Sequence, residues 1–287
     1  MRVGNDIAGI AALAAFCREQ GVALVVMEAT GGYERLAFSL LWAHELACAI
    51  VNPRQVRRFA EAMGFLEKTD RIDAGLIAWY AEARGIVARP PAAAGHQRLR
   101  ALVGRLHQLT TLKVMQANQR RLVQEETVLA SIDEIVALVR RQIRSLETEI
   151  AALIETDRLW HALDAAFRQI KGVADRTVAR IMADFDEIGT VSNKAAGKLV
   201  GAAPMARDSG THTGRRSVRG GRRAIRDILF VVADVVRRHD PDFADFHKRL
   251  SDAGKPKKVI RIALARKLIV RLNAKARDVR KQLALLA

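Results

Sequence analysis

The sequence has few aromatic residues, two cysteines and no long apolar run, and these shortages limit the kinds of protein it can be. Aromatic side chains make up 5% of the 287 residues, and the predominance of Ala, Leu, Ile, Val and Arg is typical of a helix-rich protein. Cys17 and Cys48 lack the CxxC spacing of a zinc site and lie in apolar segments. They indicate buried free thiols in a reducing compartment, so we expect a cytoplasmic location. No apolar run in the sequence is long enough to span a membrane.

Positive charge is in large excess. The sequence has 48 Lys and Arg residues against 31 Asp and Glu residues, which gives a formal net charge of +17. This balance indicates a polyanionic partner, with nucleic acid as the first candidate and an anionic membrane surface as the second. Half of the sequence is hydrophobic, which is enough for a sizeable core in one large domain or in two to three small ones.

The order of the predicted elements divides the chain into three regions. Residues 1–88 alternate short apolar runs, such as "VALVVMEAT" at 22–30, with helical periodicity, which predicts a sheet covered by helices. The stretch "ARPPAAAG" at 88–95 indicates a linker. Residues 96–157 are predicted to be helical, and residues 165–287 form a third, mostly helical region. We therefore expect an α/β N-terminal domain followed by all-α regions.

The middle region contains an apolar heptad pattern in two parts. The longer seam consists of Ile132, Val136, Val139, Ile143, Leu146, Ile150 and Leu153, and the shorter seam of Leu99, Leu102, Leu106 and Leu109. An antiparallel helical hairpin, an intermolecular coiled coil and the core of a plain bundle all fit this pattern.

Three carboxylates are candidate metal ligands. Glu28 ends the most strand-like run, where a charged side chain is unfavourable unless it faces a cleft or a cation. Asp70 and Asp73 stand at the start of a predicted helix, and their spacing also fits an N-cap with its capping-box partner. If the three carboxylates converge, their hard oxygen ligands suit Mg²⁺ at a phosphate.

A stretch rich in glycine and arginine follows in the third region. The segment "DSGTHTGRRSVRGGRRAIR" at 208–226 sets arginines among glycines that let a backbone approach phosphate closely. Ser209 stands in its Ser-Gly turn and is a candidate nucleophile at phosphorus, with His212 as its base, although such turns are also common in plain loops. The predicted nucleic-acid contacts are Arg215, Arg216, Arg219, Arg222, Arg223, Arg226, Lys257 and Lys258.

Two further helical segments are predicted to meet nucleic acid. The segment "IKGVADRTVARIMADF" at 170–185 resembles a helix-hairpin-helix with Gly172 in its turn, a motif that offers backbone N–H groups to DNA phosphate. The segment at 254–278 predicts a basic amphipathic helix. Its predicted inward-facing residues are Val259, Ile262, Ala263, Leu268, Ile269 and Leu272. Its predicted partner-facing residues are Lys257, Lys258, Arg261, Arg266, Lys267 and Arg271.

Together these motifs resemble one protein family. The stretches "VMEATGGYE", "NPRQVRRFA", "KTDRIDA", "KLVGAAP", "DSGTHTG" and the basic C-terminal helix are similar to the transposases of insertion sequence 110 and its relatives, in the same order and across nearly the whole chain. The resemblance implies a ribonuclease H-like domain of the Holliday-junction-resolvase type, a coiled-coil middle and a helical domain that supplies a serine. It also implies that DNA is cut and rejoined through a covalent protein–DNA link, with a structured RNA of the element choosing the donor and target DNA.

The resemblance also assigns roles to individual residues. The family holds Mg²⁺ with four acidic residues, and Glu28, Asp70 and Asp73 match its glutamate and its last two aspartates. Ser209 matches its nucleophile. The family's first aspartate lies on an opening strand that precedes the part matched here, and Asp6 stands in a different segment. We therefore expect a chain that is truncated at its N-terminus.

Three functional hypotheses follow from the residues and the resemblance. The first is a DNA transposase that uses Mg²⁺ and Ser209. The alternative is a truncated, catalytically inactive remnant that still binds DNA or RNA. The third is a resolvase that acts on branched DNA with the carboxylates alone. The heptad pattern and the need to join several DNA ends favour a homodimer or homotetramer.

Overall fold

The computed structural model of the chain describes residues 1–65, 67, 70–206, 208–214 and 216–286, with the backbone alone at 70–72. The chain forms two compact units, Met1–Ala93 and Ala94–Ala287. The boundary between them falls inside the predicted linker, and the second unit contains both of the regions that were predicted to be helical. Within the described residues, no helix combines the length and apolarity that crossing a membrane requires.

The first unit has a short parallel sheet with helices around it. Its elements are α1 (Ile7–Glu19), β1 (Val25–Glu28), α2 (Glu34–Ala43), β2 (Cys48–Val51), α3 (Pro53–Ala62) and α4 (Asp70–Ala83). The strands β1 and β2 pair in parallel, with Val25 opposite Cys48 and Glu28 opposite Val51. The helix α2 is the crossover that a parallel pair requires. Glu28 therefore lies at the carboxyl end of the sheet, beside the last residue of β2.

Two apolar clusters hold the first unit together. Ile10 of α1, Leu41 of α2 and the two cysteines form one cluster, and Val56 of α3 and Tyr80 of α4 belong to the other. Cys17 and Cys48 are buried free thiols, as predicted. Burial, together with the neighbouring Cys17, raises the pKa of Cys48 to about 11. The thiol is therefore protonated at neutral pH and behaves as a small apolar side chain.

The second unit is mostly helical and is built around its last helix. Its elements are α5 (Ala94–Arg120), α6 (Glu126–Thr156), α7 (Arg158–Arg168), α8 (Asp175–Asp184), α9 (Asn193–Leu199), β3 (Pro204–Met205), β4 (Ser217–Val218), α10 (Arg223–His239), α11 (Pro241–Asp252) and α12 (Lys257–Leu285). The helix α12 contacts α7, α9, α10 and α11. The strands β3 and β4 form a small antiparallel ribbon.

The heptad pattern is used within the chain, in an antiparallel hairpin of α5 and α6. Ion pairs of 2.7 Å between Arg120 and Asp133 and of 2.6 Å between Arg98 and Glu149 show the antiparallel direction. The buried seam residues of α6 are Ile132, Val136, Val139, Ile143 and Ile150. From Val139 onward, the residues of this seam belong to the core of the second unit, together with the shorter seam of α5.

The last helix differs from its prediction on one side. Leu268, Ile269 and Leu272 are buried as predicted, but Val259 is 46% exposed, and Ile262 and Ala263 are half-buried. The prediction was wrong for Val259 and is met only in part by Ile262 and Ala263, because the run 259–265 is apolar on more than one face. The face that packs into the core carries Ile260, Leu264 and Ala265, which are buried instead.

Candidate active site

The loop after β1 fixes the surroundings of Glu28. One carboxylate oxygen of Glu34, Oε2, accepts hydrogen bonds of 2.9 Å from the backbone N–H groups of Thr30 and Gly32. Gly31 and Gly32 adopt φ values of +71° and +112°, which disfavour any side chain. Partial burial raises the pKa of Glu34, but the backbone hydrogen bonds outweigh it and hold the pKa below its usual value. Sequence reasoning missed Glu34, although an acidic residue opening a helix after Gly-Gly was its signal.

Glu28 and Asp73 line one cavity of about 390 Å³ between the end of β1, α3 and α4. Both side chains are half-buried. Within the described residues, neither carboxylate has a hydrogen-bond or ion-pair partner. The side chain of Asp70 lies outside the described residues, although α4 begins at its backbone. The structure thus brings two of the three predicted ligands to one cavity.

The donors in this cavity fit a hard divalent cation. Half-buried carboxylates without partners are unfavourable unless a cation compensates them. Mg²⁺ is commonly held by one or two carboxylates, with water and substrate phosphate completing its octahedron. Across the described side chains, which exclude Asp70, no group of three acidic, His or Cys residues is placed to hold a metal.

The wall of the same cavity also carries basic residues. Arg54, Arg57 and Arg58 of α3 line it together with Glu28 and Asp73. The helix α3 begins where Asn52 accepts a 2.9 Å hydrogen bond from the backbone of Arg54. The spacing 54, 57 and 58 puts the three arginines on one face of the helix. Arg57 pairs with Glu61 of the same helix at 3.2 Å, so Arg54 and Arg58 are the guanidinium groups that would bind the phosphates of a nucleic acid. Sequence reasoning did not place this helix at the site.

Asp6 has a structural role. Its Oδ1 accepts a 2.8 Å hydrogen bond from the backbone N–H of Gly9, so Asp6 is the N-cap of α1. A side-chain cap of this kind satisfies one of the free N–H groups at a helix start. This contact agrees with leaving Asp6 out of the metal-ligand set.

Ser209 lies at the tip of the ribbon that β3 and β4 begin. The backbone N–H of Ser209 donates to the carbonyl of His212 at 3.0 Å, and the N–H of His212 donates back at 2.9 Å. Gly210, with a φ of +54°, allows this tight turn. Ser209 and His212 are exposed. In the described part of the chain, no hydrogen bond joins the Ser209 hydroxyl to the His212 ring. The turn therefore presents the hydroxyl to solvent, where a phosphodiester can approach it.

Asp208 closes the loop behind the serine. Its carboxylate accepts a 3.2 Å hydrogen bond from the N–H of Gly214 and pairs with Arg216 at 2.7 Å. Gly214 and Arg216 both lie after the turn, on the side of the ribbon that leads into β4. Asp208 therefore positions the Ser-Gly turn.

The predicted arginine cluster divides into exposed and structural members. Arg219 is exposed, and Arg223 is 85% exposed with an i,i+4 contact of 3.4 Å to Asp227. Arg226 instead donates to the carbonyl of Gly220 at 2.7 Å and holds the Gly-Gly turn. Arg215 lies outside the described residues. The exposed members are the ones that are free to reach phosphate.

Arg222 forms a bidentate ion pair with Glu187 in the second unit. Its two terminal nitrogens donate to the two oxygens of Glu187 at 2.7 and 2.5 Å, and its guanidinium lies 5.2 Å from the centroid of the Phe185 ring. Burial acts to raise the pKa of Glu187, but the hydrogen bonds from Arg222 outweigh it and lower the pKa to about 2. Arg222 thus joins the start of α10 to the loop after α8.

We expect Glu187→Gln to flatten the acid dependence of stability. The pKa of Glu187 is about 2 in the folded chain, below its value in the unfolded chain. Its contribution is therefore complete above about pH 4.5 and is lost as the pH falls toward 2. The variant should melt at lower temperature than the wild type at pH 7, and the difference should shrink by pH 3.

Thermal melts between pH 7 and pH 2.5 test this expectation. Glu126→Gln, at an exposed carboxylate, is the matched control. The pKa of Asp186 is raised first by burial and then by the Glu187 carboxyl, so Glu187→Gln removes the second cause and lowers the pKa of Asp186, whereas Glu126→Gln leaves both causes in place. A melting difference that stays constant with pH would mean that the Arg222 pair is not the source.

The turn at Gly172 is covered by another helix. Gly172 has a φ of +98°, and a Cβ there would lie 3.1 Å from the backbone nitrogen of Val236 in α10. Val178 and Ile181 of the same segment are buried. The glycine is therefore needed for packing, and DNA binding by this segment stays a prediction.

The basic residues of α12 also divide into two groups. Lys257 and Lys258 are exposed at its start. Arg261 donates to the carbonyl of Phe230 at 2.8 Å and lies 4.3 Å from that ring's centroid. Arg271 pairs with Asp240 at 2.8 Å. The two lysines remain available to a polyanion, whereas the two arginines fasten α12 to α10 and α11.

Two protein families match this chain. Residues 1–127 match the family DEDD_Tnp_IS110, described as "Transposase". Residues 164–248 match the family described as "Transposase IS116/IS110/IS902 family". The first match contains Glu28, Asp70 and Asp73, and the second contains Ser209.

Curated relatives cover much of the chain. A "Pilin gene-inverting protein" of Moraxella bovis is 30% identical over 261 residues, which is 85% of this chain and 77% of the relative. The protein of the same description from Moraxella lacunata is 29% identical over 260 residues, with the same shares. The "Insertion element IS110 uncharacterized 43.6 kDa protein" of Streptomyces coelicolor is 31% identical over 156 residues, which is 53% of this chain and 37% of the relative.

Proposed function

Because the chain belongs to the insertion sequence 110 family of transposases, we propose that it cuts and rejoins DNA with Mg²⁺-binding carboxylates and a serine nucleophile. The observation that carries this proposal is the pair of half-buried carboxylates, Glu28 and Asp73, without partners in the described part of the chain and on one cavity lined by arginines. The names of the two Moraxella relatives, which invert a pilin gene, support DNA rearrangement as the reaction class.

The chemistry would be an exchange of phosphodiester bonds. The Oγ of Ser209 attacks a DNA phosphorus. A new bond forms between Oγ and phosphorus while the P–O bond to one side of the DNA strand breaks. The departing strand oxygen takes up a proton equivalent to the one that the serine loses. The phosphodiester is conserved in the protein–DNA link, so a strand hydroxyl can later reverse the step on another end.

The carboxylates and arginines would prepare the phosphate for this exchange. Mg²⁺ held by Glu28, Asp70 and Asp73 would supply neutralisation of charge on the phosphate. Arg54 and Arg58 would bind the neighbouring phosphates and fix the strand. The predicted structured RNA would be a second polyanion for the exposed cations, and we propose a homodimer or homotetramer as the assembly that joins several DNA ends.

Covalent capture tests the proposal. We expect an adduct of the chain with DNA that survives SDS in the presence of Mg²⁺, and we expect Ser209→Ala to abolish it. Thr211→Ala is the matched control, because Thr211 is an exposed hydroxyl in the same turn, and it should keep the adduct.

Two other outcomes would contradict the proposal. Binding that is weakened by salt, without an adduct or cleavage in any chain, would favour the inactive binding remnant. Cleavage that persists in Ser209→Ala would favour a resolvase that uses the carboxylates alone.

A further inference from the structure

The second unit has a large groove between the β3–β4 ribbon and α12. Its volume is about 780 Å³. Val218 of the ribbon, Phe246 of α11 and three residues of α12, Val259, Ile262 and Val270, form its apolar walls. The groove is distinct from the carboxylate cavity, and the proposed chemistry gives it no role.

The apolar walls of this groove are not covered by the unit's own core. Val259 is 46% exposed, and Ile262, Ala263 and Val270 are half-buried. Their spacing places them on one side of α12, as an apolar stripe that Arg266 interrupts. An exposed apolar stripe with a polar rim indicates a binding site, because leaving it in water is unfavourable.

The rim of the groove is positively charged. Arg216, Lys258, Arg266 and Lys267 line it, and no carboxylate is found among the described residues of its lining. Arg216 pairs with Asp208, and Lys267 donates to the carbonyl of Asp242 at 2.6 Å. Lys258 and Arg266 have no partner within the described chain. The groove therefore complements a ligand that is anionic along its edge and apolar on its face.

We propose that this groove binds unstacked nucleotides of single-stranded DNA, with base faces against the aliphatic walls and with phosphates on Lys258 and Arg266. A duplex offers phosphates and sugars to a protein surface but keeps its base faces stacked, so it would leave the apolar walls uncovered. Charge complementarity and the position of Ser209 on the ribbon that forms one wall both favour DNA. The proposal rests on the proposed function, since it takes the same DNA as the ligand.

A matched pair of neutral substitutions tests the groove. Val259 and Val128 are each the third residue of a helix, α12 and α6, and they are 46% and 45% exposed. Val259→Gln makes the groove wall polar, and Val128→Gln makes the same change outside the groove. Neither substitution alters charge, so long-range electrostatic attraction is unchanged.

Fluorescence anisotropy of the full chain in EDTA would measure the binding of a labelled DNA strand of about 12 nucleotides and of its duplex. We expect Val259→Gln to weaken single-strand binding by roughly tenfold relative to Val128→Gln, since it removes apolar surface that the bound DNA would cover. The salt slope should stay the same, because no phosphate contact is lost. Duplex binding should be unchanged in both variants.

Three results would overturn the groove proposal. Equal single-strand affinities for the two variants would remove the groove from DNA binding. A loss confined to RNA of the same sequence would reassign the ligand. A change in the oligomeric state of Val259→Gln, with unchanged single-strand affinity, would make the groove a protein contact. Failure of the wild-type chain to bind either DNA would instead count against the proposed function itself.

Discussion

Asp73→Asn should lower Mg²⁺-dependent DNA cleavage by at least about a thousandfold, or about 4 kcal/mol of activation free energy, while DNA affinity stays nearly unchanged. Asp73 lines the same cavity as Glu28, and an amide in its place is a much weaker ligand for a hard cation. The arginines of α3 are left intact, so phosphate binding is preserved. The expected signature is therefore a loss of rate without a loss of binding.

A second measurement separates a metal ligand from a structural residue. Mg²⁺ should raise the melting temperature of the wild type, because an ion that binds only the folded chain stabilises the folded state. This rise in melting temperature should be smaller in Asp73→Asn. Glu82→Gln is the matched control, since Glu82 lies on the same helix but not on this cavity. Cleavage and Mg²⁺ stabilisation at wild-type levels in Asp73→Asn would remove Asp73 from the site.

Local sequence patterns were enough to predict the elements that position this cavity. "VALVVMEAT" predicted the strand that ends at Glu28, and β1 is Val25–Glu28. The acidic turn before "AGLIAWYA" predicted a helix start, and α4 begins at Asp70. These patterns work because strand and helix periodicities depend on residues close in sequence. The presence of Glu28 and Asp73 on one cavity is a tertiary result, which the sequence could offer only as a hypothesis.

The basic clusters show where sequence reasoning is weakest. Arg222 and Arg223 are adjacent and look equivalent in sequence. In the fold, Arg222 forms a bidentate pair with Glu187, whereas Arg223 is 85% exposed. The partner of Arg222 lies 35 residues away, and no local pattern identifies it. Charge density therefore predicts the class of ligand but not which cations contact it.

Asn273 is a further residue that sequence reasoning missed, because it stands in the middle of the basic helix. It is completely buried. Its Oδ1 accepts a 2.8 Å hydrogen bond from the N–H of Gly189, and its Nδ2 donates to the carbonyl of Val191 at 3.0 Å and to Asn193 at 2.9 Å. Gly189 packs so closely on α12 that a Cβ there would lie 2.7 Å from the carbonyl carbon of Ala276. Asn273 thus joins the loop after α8 to the central helix.

We expect Asn273→Leu to lower the free energy of unfolding by about 3 kcal/mol, since it leaves the buried N–H of Gly189 without an acceptor. Leucine has the same branched skeleton but bulkier methyl ends, so the loss comes from the missing hydrogen bonds and from crowding, and not from a cavity. Its better helix propensity opposes the loss by only about 0.5 kcal/mol. The carbonyl of Val191 keeps a 3.1 Å hydrogen bond from Arg277, which limits the effect to the Gly189 side.

Urea unfolding measures the size of this effect, and hydrogen exchange at Gly189 locates it. Asn118→Leu is the matched control, because Asn118 is exposed on α5 and the same substitution there should change stability by less than about 0.5 kcal/mol. Unfolding of Asn273→Leu at the wild-type urea concentration would mean that the loop finds another acceptor. The expected difference would instead establish that one buried amide holds the central helix to the loop whose Glu187 anchors Arg222, and so supports the segment that leads from the serine ribbon into α10.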